Sequence, residues 1–215
     1  MTAVIFDLDG VLIDSEKLQY KAYALVLERF GVTVTVAEYS AHWIAAGHGP
    51  EYAVHTYALP VTADALRALK HPVYHDILRT EVVLMPGVIE ALTRLQPHGP
   101  LALATNSNRQ DVAFVMERFD LARFFATVVA REDYSKAKPQ PDAFVAAAAR
   151  LDQPATRCVV VEDSYRGVLA ARRAGAPAIA VPNVFTRTND FSLAARVLRS
   201  LDELTVDVVE SVVGK

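Results

Sequence analysis

The sequence predicts an α/β fold: a parallel sheet core covered by helices on both faces, in three layers, with an all-helical cap domain inserted into it. Three observations carry this reading. Five short aliphatic runs, each bounded by polar or turn-forming residues, have the form of buried strands. Apolar spacing near 3.6 fills most of the intervals between them, and strands alternating with helices imply a parallel sheet. One stretch, 15–83, breaks the alternation with helical patterns alone.

The first strand is 3–6 (Ala-Val-Ile-Phe). Helices are then expected over 17–30, 37–45, 50–57 and 62–80. The threonine-rich piece 32–36 reads as a connection between two of them. Met85-Pro86-Gly87 marks the return to the core, since proline near a helix start removes no needed donor. Beyond it come a helix at 88–95, a strand at 101–104, a helix at 111–119, a strand at 127–130, a helix at 143–151, a strand at 158–161, a helix at 165–174 and a strand at 178–181. The domains expected are therefore a core of 1–14 and 84–215 and a cap of 15–83.

Composition narrows the class. Apolar residues at 52% and charged residues at 22% supply a buried core and argue against a disordered chain. A net charge of −3 with no concentrated basic surface argues against a nucleic-acid partner. Arg172-Arg173, the longest basic cluster, reads as a solvated helix face. The single cysteine, Cys158, cannot form an internal disulfide or a cysteine-rich zinc site. It lies in an apolar run and reads as a small core residue. No leader pattern opens the chain, and no window approaches the about 18 apolar residues of a membrane span. A cytoplasmic monomer that binds neither membrane nor nucleic acid is the expectation.

In a Rossmann-like sheet, ligands bind beyond the carboxyl ends of the strands. The residues that follow the strands here are Asp7-Leu8-Asp9-Gly10, Thr105-Asn106-Ser107-Asn108 and Glu162-Asp163-Ser164, with Lys136-Ala137-Lys138-Pro139 in the loop after the third strand. Each has an ordinary reading alone. Asp-x-Asp-Gly also opens calcium loops, though a strand before it and Val11-Leu12-Ile13 after it fit that poorly. Thr105-Asn106-Ser107 and Glu162-Asp163-Ser164 could be helix caps, and Lys138 a solvated loop lysine. Together, on one edge, they form a carboxylate cluster suited to a hard cation such as Mg²⁺, beside a hydroxyl, amide donors and a lysine suited to phosphate. Phosphoryl transfer needs mostly positioning and charge stabilisation. One carboxylate would attack phosphorus and another would move the proton.

Four motifs in order resemble the haloacid dehalogenase-like hydrolase superfamily, in its phosphatase and beta-phosphoglucomutase-like branch with a helical cap. They are Asp7-Leu8-Asp9-Gly10-Val11-Leu12-Ile13-Asp14-Ser15, Thr105-Asn106-Ser107, Lys138-Pro139-Gln140-Pro141-Asp142, and the stretch from Val161-Glu162-Asp163-Ser164 through Ala170-Ala171. The stretch from Val181-Pro182-Asn183 to Asp190-Phe191-Ser192 looks like the tail of sugar-phosphate phosphatases in this branch. The resemblance implies Asp7 as nucleophile and metal ligand, and Asp9 as general acid/base with its carbonyl on the metal. It implies Asp163 as metal ligand, with Glu162 bound directly or through a neighbour. Thr105, the Asn106 backbone and Lys138 would hold phosphate, and Ser15 would support Asp9. Trp43 and His48, in the cap loop 43–49, fall where relatives read the leaving group; Trp43 also has a plain reading as cap core.

The resemblance implies a Mg²⁺-dependent phosphatase acting on a small phosphorylated metabolite or sugar phosphate through an aspartyl phosphate. A beta-phosphoglucomutase-like mutase is the alternative. Against it, Gln19 stands where a mutase carries histidine, and 43–49 holds no arginine. A non-catalytic binding protein would have lost a catalytic residue, and none is missing.

Overall fold

Where the strand–helix alternation breaks after Ile13, the chain leaves one folding unit for another. The computed structural model describes residues 1–213. The helical unit comprises Asp14–Val83 together with Val184–Thr188; the sheet unit comprises Met1–Ile13, Leu84–Asn183 and the chain from Asn189 onward.

In the helical unit the principal helices are α1 (Glu16–Glu28), α2 (Val36–Glu38), α3 (Pro50–Thr56) and α4 (Ala63–Glu81). Residues Tyr39–Ala45 continue α2 as a π-helix rather than the α-helix expected over 37–45. The aromatic spacing Tyr39 to Trp43 is four residues, which suits either winding, so the pattern alone could not separate them. Thr35 and Thr62 cap α2 and α4 by accepting hydrogen bonds from Glu38 and Ala65 N–H. The unit's core is aromatic: Tyr23, Tyr39, Trp43 and Phe185 are buried together with Val26, Leu27 and Leu66.

The sheet unit holds β1 (Ala3–Phe6), α5 (Val88–Leu95), β2 (Leu101–Ala104), α6 (Arg109–Arg118), β3 (Thr127–Val129), α7 (Asp142–Arg150), β4 (Cys158–Glu162), α8 (Tyr165–Ala174), β5 (Ala178–Ala180), β6 (Arg196–Val197) and α9 (Val206–Val212). The strands are parallel, in the order β3-β2-β1-β4-β5-β6. β1, β2, β4 and β5 are buried along their whole length, which is why they read as unbroken aliphatic runs. Cys158 lies fully inside, and burial pushes its thiol up to about 11, so it packs as a small apolar residue. On one face the alanine-rich α7 lays Ala143, Phe144, Ala147 and Ala148 against the strands.

Two elements were not expected. β6 pairs Arg196 and Val197 with β5 at the sheet edge; both residues are exposed, so no apolar pattern marks it. α9 is capped by Thr205, which accepts from Val208 N–H. Among the described residues, no helix is long and apolar enough to cross a membrane.

Register sets the site. Phe6 is opposite Leu103 on one side and Val161 on the other, so β1, β2 and β4 end nearly level. Asp7 N–H donates to Val161 carbonyl, Thr105 N–H to Val129 carbonyl and Val181 N–H to Glu162 carbonyl. The residues that leave these strands therefore emerge side by side.

Candidate active site

Lys138 lies at the centre of the cluster. Its ammonium is 5% exposed and donates to Asp7 Oδ1 at 2.6 Å, Glu162 Oε1 at 2.8 Å and the Ala104 carbonyl at 3.0 Å. An ammonium has three N–H donors, and here each has an acceptor. The Phe144 ring closes the other side at 4.3 Å. The sequence suggested a phosphate-holding lysine; in this structure its hydrogen bonds go to two buried carboxylates and a backbone carbonyl. Such a pair is retained because a buried charge without a partner costs several kcal/mol, roughly 3–5 kcal/mol when one member is removed.

The backbone that carries Lys138 is fixed on three sides. Its N–H donates to Asn106 Oδ1, its carbonyl accepts from Arg166, and the next carbonyl, Pro139, accepts from Arg173. The Tyr134 hydroxyl, with one proton to donate, lies 2.7 Å from Asn106 Oδ1 and 2.9 Å from the Thr105 carbonyl. Arg173, read from sequence as part of a solvated face, is exposed but ties α8 to the lysine loop.

Glu162 closes the fourth strand and spends both oxygens. Oε1 takes Lys138; Oε2 accepts from Asp163 N–H, Ser164 N–H and Ser164 hydroxyl. This explains Gly167 one turn into α8: a Cβ there would lie 1.8 Å from the Glu162 carboxyl carbon. The α8 cap is Ser164 itself, which accepts from Gly167 N–H while donating to Glu162.

Asp163 is buried beside them, and Asn183 Nδ2 donates to its Oδ2 at 2.7 Å. Gly10, at φ +75°, packs against this pair; a Cβ at Gly10 would approach Asp163 Oδ2 to 2.3 Å. Backbone freedom and lack of a side chain are both needed at that position. Asp9 is held differently. Its Oδ2 accepts from Ser107 hydroxyl at 2.5 Å and Thr105 hydroxyl at 3.3 Å, while Thr105 Oγ1 accepts from Ser107 N–H.

One oxygen from each of Asp7, Glu162 and Asp163 lies within 4.8 Å of the others. Three buried carboxylates thus face a single ammonium. Burial pushes the Asp7 carboxyl up to about 8; Lys138 opposes this, and Glu162 and Asp9 add to it. For Lys138, burial alone would favour loss of the proton, but Asp7 and Glu162 outweigh it and hold the ammonium above its ordinary value. The cluster is short of positive charge, and its oxygen-only donor set fits a hard divalent cation.

Of the residues singled out from sequence, Asp7, Asp9, Thr105, Asn106, Lys138, Glu162 and Asp163 come together here. Ser15, Trp43 and His48 belong to the helical unit. Ser15 is buried at the start of α1 without capping it by its side chain; Trp43 is 4% exposed in the aromatic core; His48 is exposed. Ser107, Tyr134, Arg166 and Asn183 were not assigned roles from sequence. Ser107 and Arg166 lie inside quoted motifs and Asn183 in the quoted tail stretch, while Tyr134 is only near one.

Comparison with known proteins identifies the family. Residues 1–175 match the family described as haloacid dehalogenase-like hydrolase. The chain is 33% identical over 179 residues to the phosphorylated carbohydrates phosphatase of Thermotoga maritima, covering 81% of this chain and 82% of that one. It is 29% identical over 218 residues to the bifunctional riboflavin kinase/FMN phosphatase of Arabidopsis thaliana, which covers 96% of this chain but only 55% of that protein. The crystal structure of CbbY from Rhodobacter sphaeroides in complex with phosphate superposes with a TM-score of 0.80 at 25% identity, covering 98% and 100% of the two chains.

Proposed function

We propose that this chain, which belongs to the haloacid dehalogenase-like hydrolases, hydrolyses the phosphate monoester of a small phosphorylated metabolite, with sugar phosphates as the first class to test. The observation that carries the reading is the buried set of Asp7, Glu162 and Asp163 around one lysine, with Asp9 alongside on two hydroxyls. Names of relatives support the substrate class: one acts on phosphorylated carbohydrates and another is an FMN phosphatase.

In the proposed reaction a carboxylate oxygen of Asp7 attacks phosphorus. The bond from phosphorus to the ester oxygen breaks, and Asp9 delivers its proton to that leaving oxygen. Asp9 then takes a proton from water, whose oxygen attacks the aspartyl phosphate. The phosphorus–Asp7 oxygen bond breaks, releasing phosphate and restoring both carboxyl groups. Ser107 and Thr105 fix the plane of the Asp9 carboxyl for both transfers. Lys138 opposes the burial that favours a proton on Asp7 and so eases its loss before attack, and Glu162 keeps Lys138 in place. Asp7, Glu162, Asp163 and the Asp9 carbonyl would hold a Mg²⁺ ion, which supplies charge stabilisation to the transferring phosphoryl group. The helical unit is the part of the chain proposed to select the substrate, with His48 as its exposed candidate.

The test is phosphate release from a panel of sugar and metabolite monophosphates with and without Mg²⁺, including beta-glucose 1-phosphate. Magnesium-dependent release from one or a few compounds is expected. Conversion of beta-glucose 1-phosphate to the 6-phosphate without release would replace hydrolysis by the mutase reading.

A further inference from the structure

Besides Ile13–Asp14 and Val83–Leu84, the chain passes between its units twice more, at Asn183–Val184 and Thr188–Asn189. Residues Val184–Thr188 thus form a short strap that belongs to the helical unit. Phe185, 8% exposed, packs in that unit's aromatic core, edge-on to Tyr39 at 6.3 Å, and Thr186 is buried beside it.

Both ends of the strap are tied to one short stretch of the sheet unit. Asn183 Nδ2 donates to Asp163 Oδ2 at 2.7 Å and reaches the Gly10 carbonyl at 3.5 Å. Asn189 Oδ1 accepts from Tyr165 N–H at 3.0 Å. Asp163 and Tyr165 flank Ser164, the cap of α8. The two asparagines therefore bracket the turn that presents Asp163.

The last torsion of an aspartate is broad and poorly defined by its own chemistry. A donor on one carboxylate oxygen fixes the plane and so fixes where the other oxygen points. A carboxylate can only accept, so the amide nitrogen, rather than the amide oxygen, must face Asp163. The fit at Gly10 shows how closely the three groups meet: a Cβ there would lie 2.3 Å from Asp163 Oδ2 and 2.7 Å from Asn183 Nδ2. Outer donors of this kind orient a ligand before any metal arrives.

We infer that Asn183 is a positioning residue: its amide sets the Asp163 carboxylate for a divalent cation. This rests on the reading of Asp163 as a metal-holding residue. The experiment is calorimetric titration of Mg²⁺ into the full chain without substrate, with the Mg²⁺-induced rise in melting temperature recorded alongside. Asn183→Ala is expected to weaken Mg²⁺ binding by about 10- to 100-fold, with at most a modest fall in the melting temperature of the metal-free protein from the lost hydrogen bond. Turnover should fall at low Mg²⁺ and recover at saturating Mg²⁺, with KM for the phosphate ester unmoved. Should Asn183→Ala fail to fold, Asn183→Gln, which keeps the amide but displaces it by a methylene, carries the same expectation. Unaltered Mg²⁺ affinity in the folded variant overturns the role of Asn183 and leaves Asp163 standing. No Mg²⁺ binding by the unaltered protein overturns both.

Discussion

In the sheet unit the deeply buried polar groups at the strand ends are ionisable apart from Thr105; in the aromatic core of the helical unit they are phenols and an indole. Around Lys138, three carboxylates and an ammonium share a few ångströms, and the three hydrogen bonds of the lysine join its loop to the ends of β1, β2 and β4. In the helical unit burial falls on Tyr23, raised to about 12, and on Tyr39, raised well above its ordinary value. Those phenols stay neutral at any physiological pH. The first region responds to a proton and, under the proposed function, to a cation and a phosphoryl group. The second is insensitive to all three and owes its stability to aromatic packing. Charge chemistry should therefore be lost by single substitutions in one unit and barely altered in the other.

The largest expected effect is at Asp7. Asp7→Asn keeps the shape of the side chain but removes the nucleophilic charge. Turnover should fall by on the order of 10⁴–10⁶-fold, the range seen when a group acting directly on the reacting atoms is removed. Phosphate release in a purified preparation checks this. A variant that still turns over within tenfold of the unaltered protein would move the nucleophile elsewhere.

A second contrast is in pH. In the folded, metal-free protein Asp7 binds a proton up to about 8, against 3.8 for the ordinary carboxyl. Between those values the folded state holds a proton that the unfolded chain has released. Its contribution to stability is complete below the lower value and is lost as pH rises through the upper one. The melting temperature of metal-free protein should therefore decline across that window, and Mg²⁺ affinity should rise as the proton leaves. Asp7→Asn should flatten the decline. An equal slope in both proteins would mean that another group carries it.

Gly167→Ala comes next. In a helix, alanine gains up to about 1 kcal/mol over glycine. Here the new Cβ would lie 1.8 Å from the Glu162 carboxyl carbon, so Glu162 must shift away from Lys138 and the Ser164 donors. Overpacking and lost hydrogen bonds, about 1–3 kcal/mol each, outweigh the helical gain. Chemical denaturation should show a net loss of stability; a gain would show that Glu162 has room to move.

How much of this could be read beforehand differs between the units for a physical reason. Parallel strands are buried on both faces, so they appear as aliphatic runs, and chemistry at their ends needs particular residue types. Asp7, Asp9, Lys138, Glu162 and Asp163 were therefore legible. Ser107 on Asp9, Tyr134 on Asn106, and Asn183 on Asp163 depend on where loops fold back, which no local pattern encodes. The direction of Lys138 was equally hidden: a loop lysine gives no sign that three acceptors will surround it. Val184–Thr188 looked like a core loop, and only the burial of Phe185 among Tyr39 and Trp43 places it with the helices. β6 escaped because backbone pairing alone makes it a strand.

The smallest expected effect tests the helical unit. Trp43 is packed against Tyr23 and Tyr39 at 4.8 and 5.3 Å, yet its buried indole N–H has no acceptor among the described residues. An unmade hydrogen bond costs about 1–3 kcal/mol. Trp43→Phe removes that donor and relieves the cost, but it also leaves a void where the larger ring stood, with a penalty of similar size. The two terms oppose, and the net change in stability should stay within about 1 kcal/mol. If Trp43 is only a core residue, kcat and KM should also stay within about twofold, a free-energy change under ~0.5 kcal/mol. A tenfold rise in KM with stability unchanged would give a different result: the indole N–H would then find its acceptor on the substrate, and the aromatic unit would take part in recognition rather than packing alone.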